Sequence, residues 1–180
     1  ITLEGIDGCG KSTQARLLVE AFKERGLEVL LTREPGGTRL GRRLRTILLN
    51  PDSVVGAKAE IFLYLADRAQ HVEEVIEPAL KSGKIVISER YGDSTTAYQG
   101  AGRKLTRAKA EALNEMATGG LKPDLTILLD ISPETARRRM RKEKRGADRL
   151  ETLGREFHRC LAKEYRALAV KEPERFAVVK

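Results

Sequence analysis

Aromatic residues are scarce in this chain: they make up 4% of its 180 positions, and tryptophan is absent. Binding single-stranded nucleic acid needs aromatic platforms beside the cations, and this composition offers no row of them. Cysteine occurs twice, at Cys9 and Cys160, far apart and without metal-ligand spacing. This excludes a disulfide framework and a cysteine zinc site, and it fits two unpaired thiols in a reducing, cytoplasmic setting. The two histidines, His71 and His158, fall on expected helices without partners at ligand spacing, and read as structural. No apolar run approaches the roughly 20 residues that cross a bilayer, so no membrane partner is expected. The guanine-reading motif Asn-Lys-x-Asp of GTP switches occurs nowhere. Internal repeats and low-complexity linkers are also missing, and both ends read as trimmed.

What the chain does have is positive charge. Lysine and arginine number 34 against 26 acidic residues, a net charge of +8, which draws anions of any kind. Hydrophobic residues at 41% and charged residues at 33% mark a globular chain, long enough for one domain, 1–180, around a single core.

The pattern along the chain alternates strand and helix. Ile1–Glu4 reads as a strand, and Lys11–Arg25 as a helix with Leu18, Ala21 and Phe22 on one stripe and Gly26 ending it. "EVLLT" (28–32) is a strand, "REPGGT" (33–38) a loop, and 39–49 a short helix. A long helix is expected over 57–82, with a core stripe of Phe62, Leu65, Ala69, Val72 and Ile76. "KIVIS" (84–88) is a third strand, and "TAYQGAGR" a loop or helix edge. Thr106 opens a helix carrying Ala108, Ala112, Leu113 and Met116, which ends at Gly119. "LTILLD" (125–130) is a fourth strand, Ser132 and Pro133 start another helix, 152–171 is a further one, and "FAVVK" begins a fifth strand. Short apolar strands between helices imply an α/β fold, a parallel sheet covered on both faces. Its ligands belong beyond the carboxyl ends of the strands, where the polar clusters converge.

The stretch "EGIDGCGKST" (4–13) follows the first strand and opens the first helix. Gly5, Gly10, Lys11 and Ser12 fit G-x-x-x-x-G-K-[ST], in which glycines turn main-chain N–H groups towards phosphate oxygens. The candidate triphosphate site is Gly5, Ile6, Asp7, Gly8, Cys9, Gly10, Lys11, Ser12 and Thr13. The Lys11 ammonium suits the β- and γ-phosphates, and the Ser12 hydroxyl suits Mg²⁺. A GTP switch would follow its third strand with Asp-x-x-Gly, whereas strand 84–88 leads into Glu89-Arg90-Tyr91.

Arg33, Arg45, Arg68, Arg90 and Arg103 lie near strand ends or on flanking helices. One triphosphate does not need so many cations, whereas a second, monophosphorylated substrate beside it does. Tyr64 and Arg68 share a helix face and suit a planar ligand, the ring stacking and the guanidinium donating at its edge. The segment 137–151 is crowded with arginine. It reads as a nucleic-acid contact or as a mobile lid that excludes water and supplies an arginine to the phosphoryl group. The missing aromatic stripe weighs against nucleic acid.

"EGIDGCGKSTQ", "TREPGGT", "ADRAQH", "ERYGDSTTAYQGAGR", "LKPDLTILLD" and "ADRLE" stand in the order seen in thymidylate kinases, and the chain resembles that family over essentially its whole length. The resemblance implies a three-layer P-loop kinase fold with a five-stranded parallel sheet. The implied reaction is transfer of the γ-phosphoryl group of ATP to dTMP with Mg²⁺, giving dTDP for dTTP synthesis. It also implies roles. Asp7 would receive the sugar 3′-hydroxyl, Tyr64 would stack on thymine where phenylalanine is usual, and Arg68 would donate to a thymine carbonyl. Thr95 and Gln99 would read the rest of the base, and Tyr98 would sit against the 2′ carbon. Arg90, Arg45 and Arg33 would hold the dTMP phosphate, and Glu34 would line the phosphate and metal region. Glu89 replaces the common aspartate beside Mg²⁺ and Ser12. The P-loop lacks arginine, as in bacterial-type members that carry catalytic arginines in the lid, and Arg141, Arg145 and Arg149 are the candidates. A homodimer is implied, through the helix at 57–82 with Ile61 and Val75. A kinase for another deoxynucleotide or deoxynucleoside, or a nucleic-acid-binding P-loop ATPase, are the competing readings.

Overall fold

A computed structural model describes residues 1–102, 106–142 and 148–180 of the chain. Five strands form one sheet: β1 (Thr2–Glu4), β2 (Val29–Arg33), β3 (Ile85–Glu89), β4 (Thr126–Leu129) and β5 (Phe176–Val179). Their order is β2-β3-β1-β4-β5, and every pairing is parallel. Helices α1 (Lys11–Lys23), α2 (Arg39–Leu49), α3 (Ala57–His71), α4 (Glu77–Lys81), α5 (Gly92–Gly102), α6 (Arg107–Thr118), α7 (Pro133–Lys142) and α8 (Arg155–Lys171) connect the strands.

Side-chain alternation along the strands decides which helix covers which face. Leu3 and Ile87 pack under α1 against Ala15 and Val19. Val86, one residue before Ile87, faces the opposite layer with Val72, Ile76 and Ala79. Leu128 and Phe176 join that second layer further along the sheet, with Ala97 of α5 and Leu161, Tyr165 and Leu168 of α8. Leu3 and Ile87 are 1% and 0% exposed. Burying each contributes about 2 kcal/mol, and this locks β1 and β3 as central strands. The register sets Leu3 opposite Glu89, so the chain leaving β3 turns directly over the end of β1.

Five local expectations differ from the structure. The buried apolar positions of α1 are Ala15 and Val19, while Leu18, Ala21 and Phe22 are half-buried beside them. The run 57–81 is helical throughout, but a π-helical turn at Val72–Ile76 separates α3 from α4. Of its expected stripe, Leu65, Val72 and Ile76 are buried, whereas Phe62 is 60% exposed and Ala69 is exposed. The buried face instead carries Ile61, Leu65 and the polar Asp67, Arg68 and His71, which a hydrophobic pattern does not reveal. "TAYQGAGR" lies largely within α5, a helix packed on α3, α6 and α8. On α6 the buried positions are Ala110 and Thr118, and Met116 is 82% exposed.

Candidate functional site

The loop after β1 needs its glycines for two reasons. Gly5 has φ +136°, and a Cβ there would meet the Leu129 carbonyl oxygen at 2.7 Å. Gly8 has φ +77°, and a Cβ there would stand 2.7 Å from the Ala136 carbonyl oxygen of α7. The loop therefore lies flat against β4 and α7. No side chain caps the N-terminus of α1, so its first main-chain N–H groups and the positive end of its dipole are left for an anion. Lys11 is buried and donates to the Gly5 and Ile6 carbonyls, both at 2.9 Å, which curls its ammonium back over the loop. The Ser12 hydroxyl donates to Glu89 Oε2 at 2.6 Å. The two metal candidates, 77 residues apart, thus stand side by side. One hydroxyl and one carboxylate are hard oxygen donors of the kind a divalent cation takes.

Arg90 follows β3 with φ +71°, the left-handed region that non-glycine residues rarely adopt. Its Nη2 lies 2.5 Å from Asp7 Oδ1 and donates to the Tyr98 hydroxyl at 2.9 Å. Tyr98 in turn donates to Asp7 Oδ2 at 2.6 Å. Desolvation works to raise the Asp7 carboxyl, but Arg90 and Lys11 together with these hydrogen bonds hold it well below the usual carboxylate range. Asp7 is therefore an anion fixed between the phosphate loop and the arginine.

A cleft opens on the far side of Asp7. Its walls include the expected Glu34, Arg45, Tyr64, Arg68, Arg90, Thr95 and Tyr98. Burial depresses the Arg45 guanidinium, and the positive charges of Arg33 and Arg90 depress it further, so three cations bear on one spot. Arg33 itself is exposed at the end of β2 and is not part of the cleft wall. Burial keeps the Tyr64 hydroxyl protonated.

Arg68 is 1% exposed and fully engaged by the protein. Its Nε donates to Glu34 Oε2 at 2.8 Å, Nη1 to Thr95 at 2.7 Å and Asn114 at 2.6 Å, and Nη2 to the Tyr91 carbonyl at 2.9 Å. The expected donor to a base is thus held rigid at the cleft wall with its N–H groups already bonded. Glu34 also meets His71 Nδ1 at 2.9 Å. Glu34 lines the cleft, and His71 braces it from behind.

The lid arginines separate. Arg141 lines a second hollow between α7 and α8, which shares Ile6 and Asp7 with the loop. Arg149, a catalytic candidate, is instead drawn into an ion pair with Glu60 at 2.5 Å and donates to the Leu48 carbonyl at 2.8 Å, tying the chain after α7 to α2 and α3. Arg145 and the Gln99 side chain lie outside the described residues, as does Arg103. Arg139, not singled out from the sequence, donates from α7 to the Cys9 carbonyl at 3.2 Å. Ser94, Asp148 and Leu150 also line the cleft unannounced. Burial raises the Asp148 carboxyl. Among the described residues no cluster of three metal-ligating side chains occurs.

A glycine-rich loop at one lip of Asp7 and three arginines at the other make a site suited to phosphorylated ligands. Comparison with known proteins narrows this. Residues 3–180 match the family model described as Thymidylate kinase. The chain is 48% identical to the thymidylate kinase of Desulfovibrio desulfuricans over 186 residues, spanning 99% of this chain and 86% of that one. It is 50% identical to that of Clavibacter sepedonicus over 179 residues, spanning 99% and 85%. The crystal structure of thymidylate kinase from Ehrlichia chaffeensis superposes with a TM-score of 0.82 at 32% identity, covering 99% of this chain and 90% of that one. The chain belongs to the thymidylate kinase family.

Proposed function

We propose that the chain transfers the γ-phosphoryl group of ATP to dTMP, giving dTDP for dTTP synthesis, with the loop after β1 gripping the donor and Arg90 gripping the acceptor. The observation that carries this division is the Asp7–Arg90 pair: one charged contact links the phosphate loop to the arginine-lined cleft. Two phosphates brought to its two sides meet end to end, as in-line transfer requires.

The acceptor phosphate is a dianion near neutral pH and needs no strong base to attack. Arg90 and Arg45 hold it, Arg33 adds positive charge from the end of β2, Tyr64 stacks on the thymine, and Thr95 and Gln99 read its edge. Arg68 acts at the base edge by releasing one of its internal partners, Asn114 or Thr95. Asp7 takes the 3′-hydroxyl, and Tyr98 packs where a ribose would carry its 2′-hydroxyl. Lys11 and the main-chain N–H groups around it neutralise charge on the transferred group. Ser12 and Glu89 would hold Mg²⁺, which when bound would supply electrophilic charge to that group. Arg139 and Arg141 of α7 are the lid arginines favoured by position, since Arg139 bonds the loop and Arg141 lines the adjoining hollow.

The exposed stripe Phe62, Ala66 and Ala69 on α3 is the face proposed for a homodimer, in place of Ile61, which is buried in the core. A reducing cytoplasm suits the free Cys9 and Cys160. A coupled assay with dTMP, dUMP, dCMP and thymidine, with and without added DNA, tests the reading. Preference for dTMP, weaker use of dUMP and no response to DNA are expected. Preference for dCMP or thymidine, or stimulation by DNA, would overturn it.

A further inference from the structure

Glu4 ends the central strand and is completely buried, yet neither the phosphate loop nor the cleft uses it directly. All its bonds run towards Arg90. Oε1 accepts the Tyr91 N–H at 2.7 Å, fixing the peptide that follows the left-handed Arg90. Oε2 accepts the Ser94 hydroxyl at 2.7 Å and the Tyr165 hydroxyl at 3.0 Å. Those same two oxygens accept from Arg90 Nη1, at 3.1 Å and 3.2 Å.

The polarity of this arrangement follows from proton counting. Once ionised, as it is above about pH 7, the Glu4 carboxylate only accepts. Each hydroxyl carries one proton, and donating it to Glu4 leaves the lone pairs facing the guanidinium. The main chain completes the cradle: Leu3 O accepts the Arg90 N–H at 3.0 Å, and Ser88 donates to the Arg90 carbonyl at 2.8 Å.

We infer that Glu4 is a positioning residue for the acceptor phosphate, acting through Ser94 and Tyr165 to aim Arg90 and through the Tyr91 N–H to hold its backbone. The inference rests on the proposed role of Arg90. Glu4→Gln keeps the shape and reverses the polarity. The amide oxygen stays with the Tyr91 N–H, so the amide NH₂ points at both hydroxyls and competes with Arg90 for their lone pairs.

The test is calorimetric binding of dTMP and of a non-hydrolysable ATP analogue to the parent, Glu4→Gln, Arg90→Ala and the double variant, with steady-state kinetics on the active ones. Glu4→Gln is expected to raise the dTMP Kd and KM about tenfold, as for loss of one hydrogen bond to a charged group, with the ATP-analogue Kd within about twofold. In the Arg90→Ala background it should add less than about twofold, because the two act as one unit. Unchanged dTMP binding in Glu4→Gln, or an equal loss in the Arg90→Ala background, would overturn the positioning role while leaving that of Arg90 standing. Unchanged dTMP binding in Arg90→Ala would overturn both. If Glu4→Gln does not fold, Tyr165→Phe and Ser94→Ala combined decide: weaker dTMP binding with normal ATP-analogue binding supports the relay, and parental dTMP binding refutes it.

Discussion

Replacing Arg90 by alanine should produce two separable effects, each sized from the contacts it removes. For stability, the variant strips Asp7 of its ion pair. Losing one partner of a fully buried pair costs about 3–5 kcal/mol. Here the two side chains keep 15% and 20% exposure, and the Tyr98 hydroxyl still reaches Asp7 at 2.6 Å. A loss of about 2–3 kcal/mol is therefore expected, roughly 5–10 °C in Tm for a domain of this size. For catalysis, the variant removes a charged, forked donor to the acceptor phosphate. Loss of about 3–4 kcal/mol in the transition state lowers kcat/KM for dTMP by roughly 10²- to 10³-fold. Because the donor site lies on the other side of Asp7, KM for ATP should stay within about twofold. Coupled ADP-release kinetics, varying each substrate in turn, and thermal melts give the four numbers. A kcat/KM for dTMP within threefold of the parent, or an ATP KM that rises as much as that for dTMP, would refute this reasoning.

Other predictions follow the same contacts. Lys11→Ala should lower kcat by at least about 10²-fold while Tm falls only a few degrees, since the lysine's bonds within the protein are to two carbonyls and, more weakly, the Cys9 sulfur; melts beside single-turnover rates check it. Arg68→Lys keeps the charge but cannot reproduce the fork to Glu34, Thr95, Asn114 and Tyr91, and urea titration should record a loss of about 3 kcal/mol. Burial, then the Asp93 charge, pushes the Glu4 carboxyl from 4.5 to about 7 against the pull of Arg90. A carboxyl raised in the folded state stabilises most below its unfolded value and loses that contribution as pH rises through about 7. Between pH 5 and 8 the parent should therefore lose on the order of 2 kcal/mol relative to Glu4→Gln in urea titrations. Phe62→Asp, on the exposed stripe of α3, should shift a dimer to monomer in sedimentation velocity while leaving Tm within a few degrees.

The sequence carried the phosphate loop openly, because that site is made of main chain and eight consecutive residues contain it. The strands were equally open, since apolar runs between polar loops have few other uses. The cleft was legible only in parts. Tyr64 and Arg68 announce a shared helix face, but nothing local says that Arg68 meets Glu34, Thr95 and Asn114, which come from three other segments. The Glu4 relay joins residues up to 161 positions apart, and Tyr165 reads as an ordinary core position of an amphipathic helix. One signal was available: a glutamate within a central strand is costly unless bonded, and that marks the position for inspection. Phe62 misled because α3 has two apolar sides, and periodicity does not say which one the sheet takes. The arginine-rich stretch looks uniform in sequence, whereas its members divide between Glu60, the loop after β1 and an open hollow.

The most direct measurement is a crystal structure with dTMP and a non-hydrolysable ATP analogue bound together. It should place the dTMP phosphate against the Arg90 guanidinium, the thymine on Tyr64, and the γ-phosphate at Lys11, with Asp7 between the two nucleotides. A dTMP phosphate out of reach of Arg90, or two nucleotides whose phosphates do not face one another across Asp7, would contradict the account.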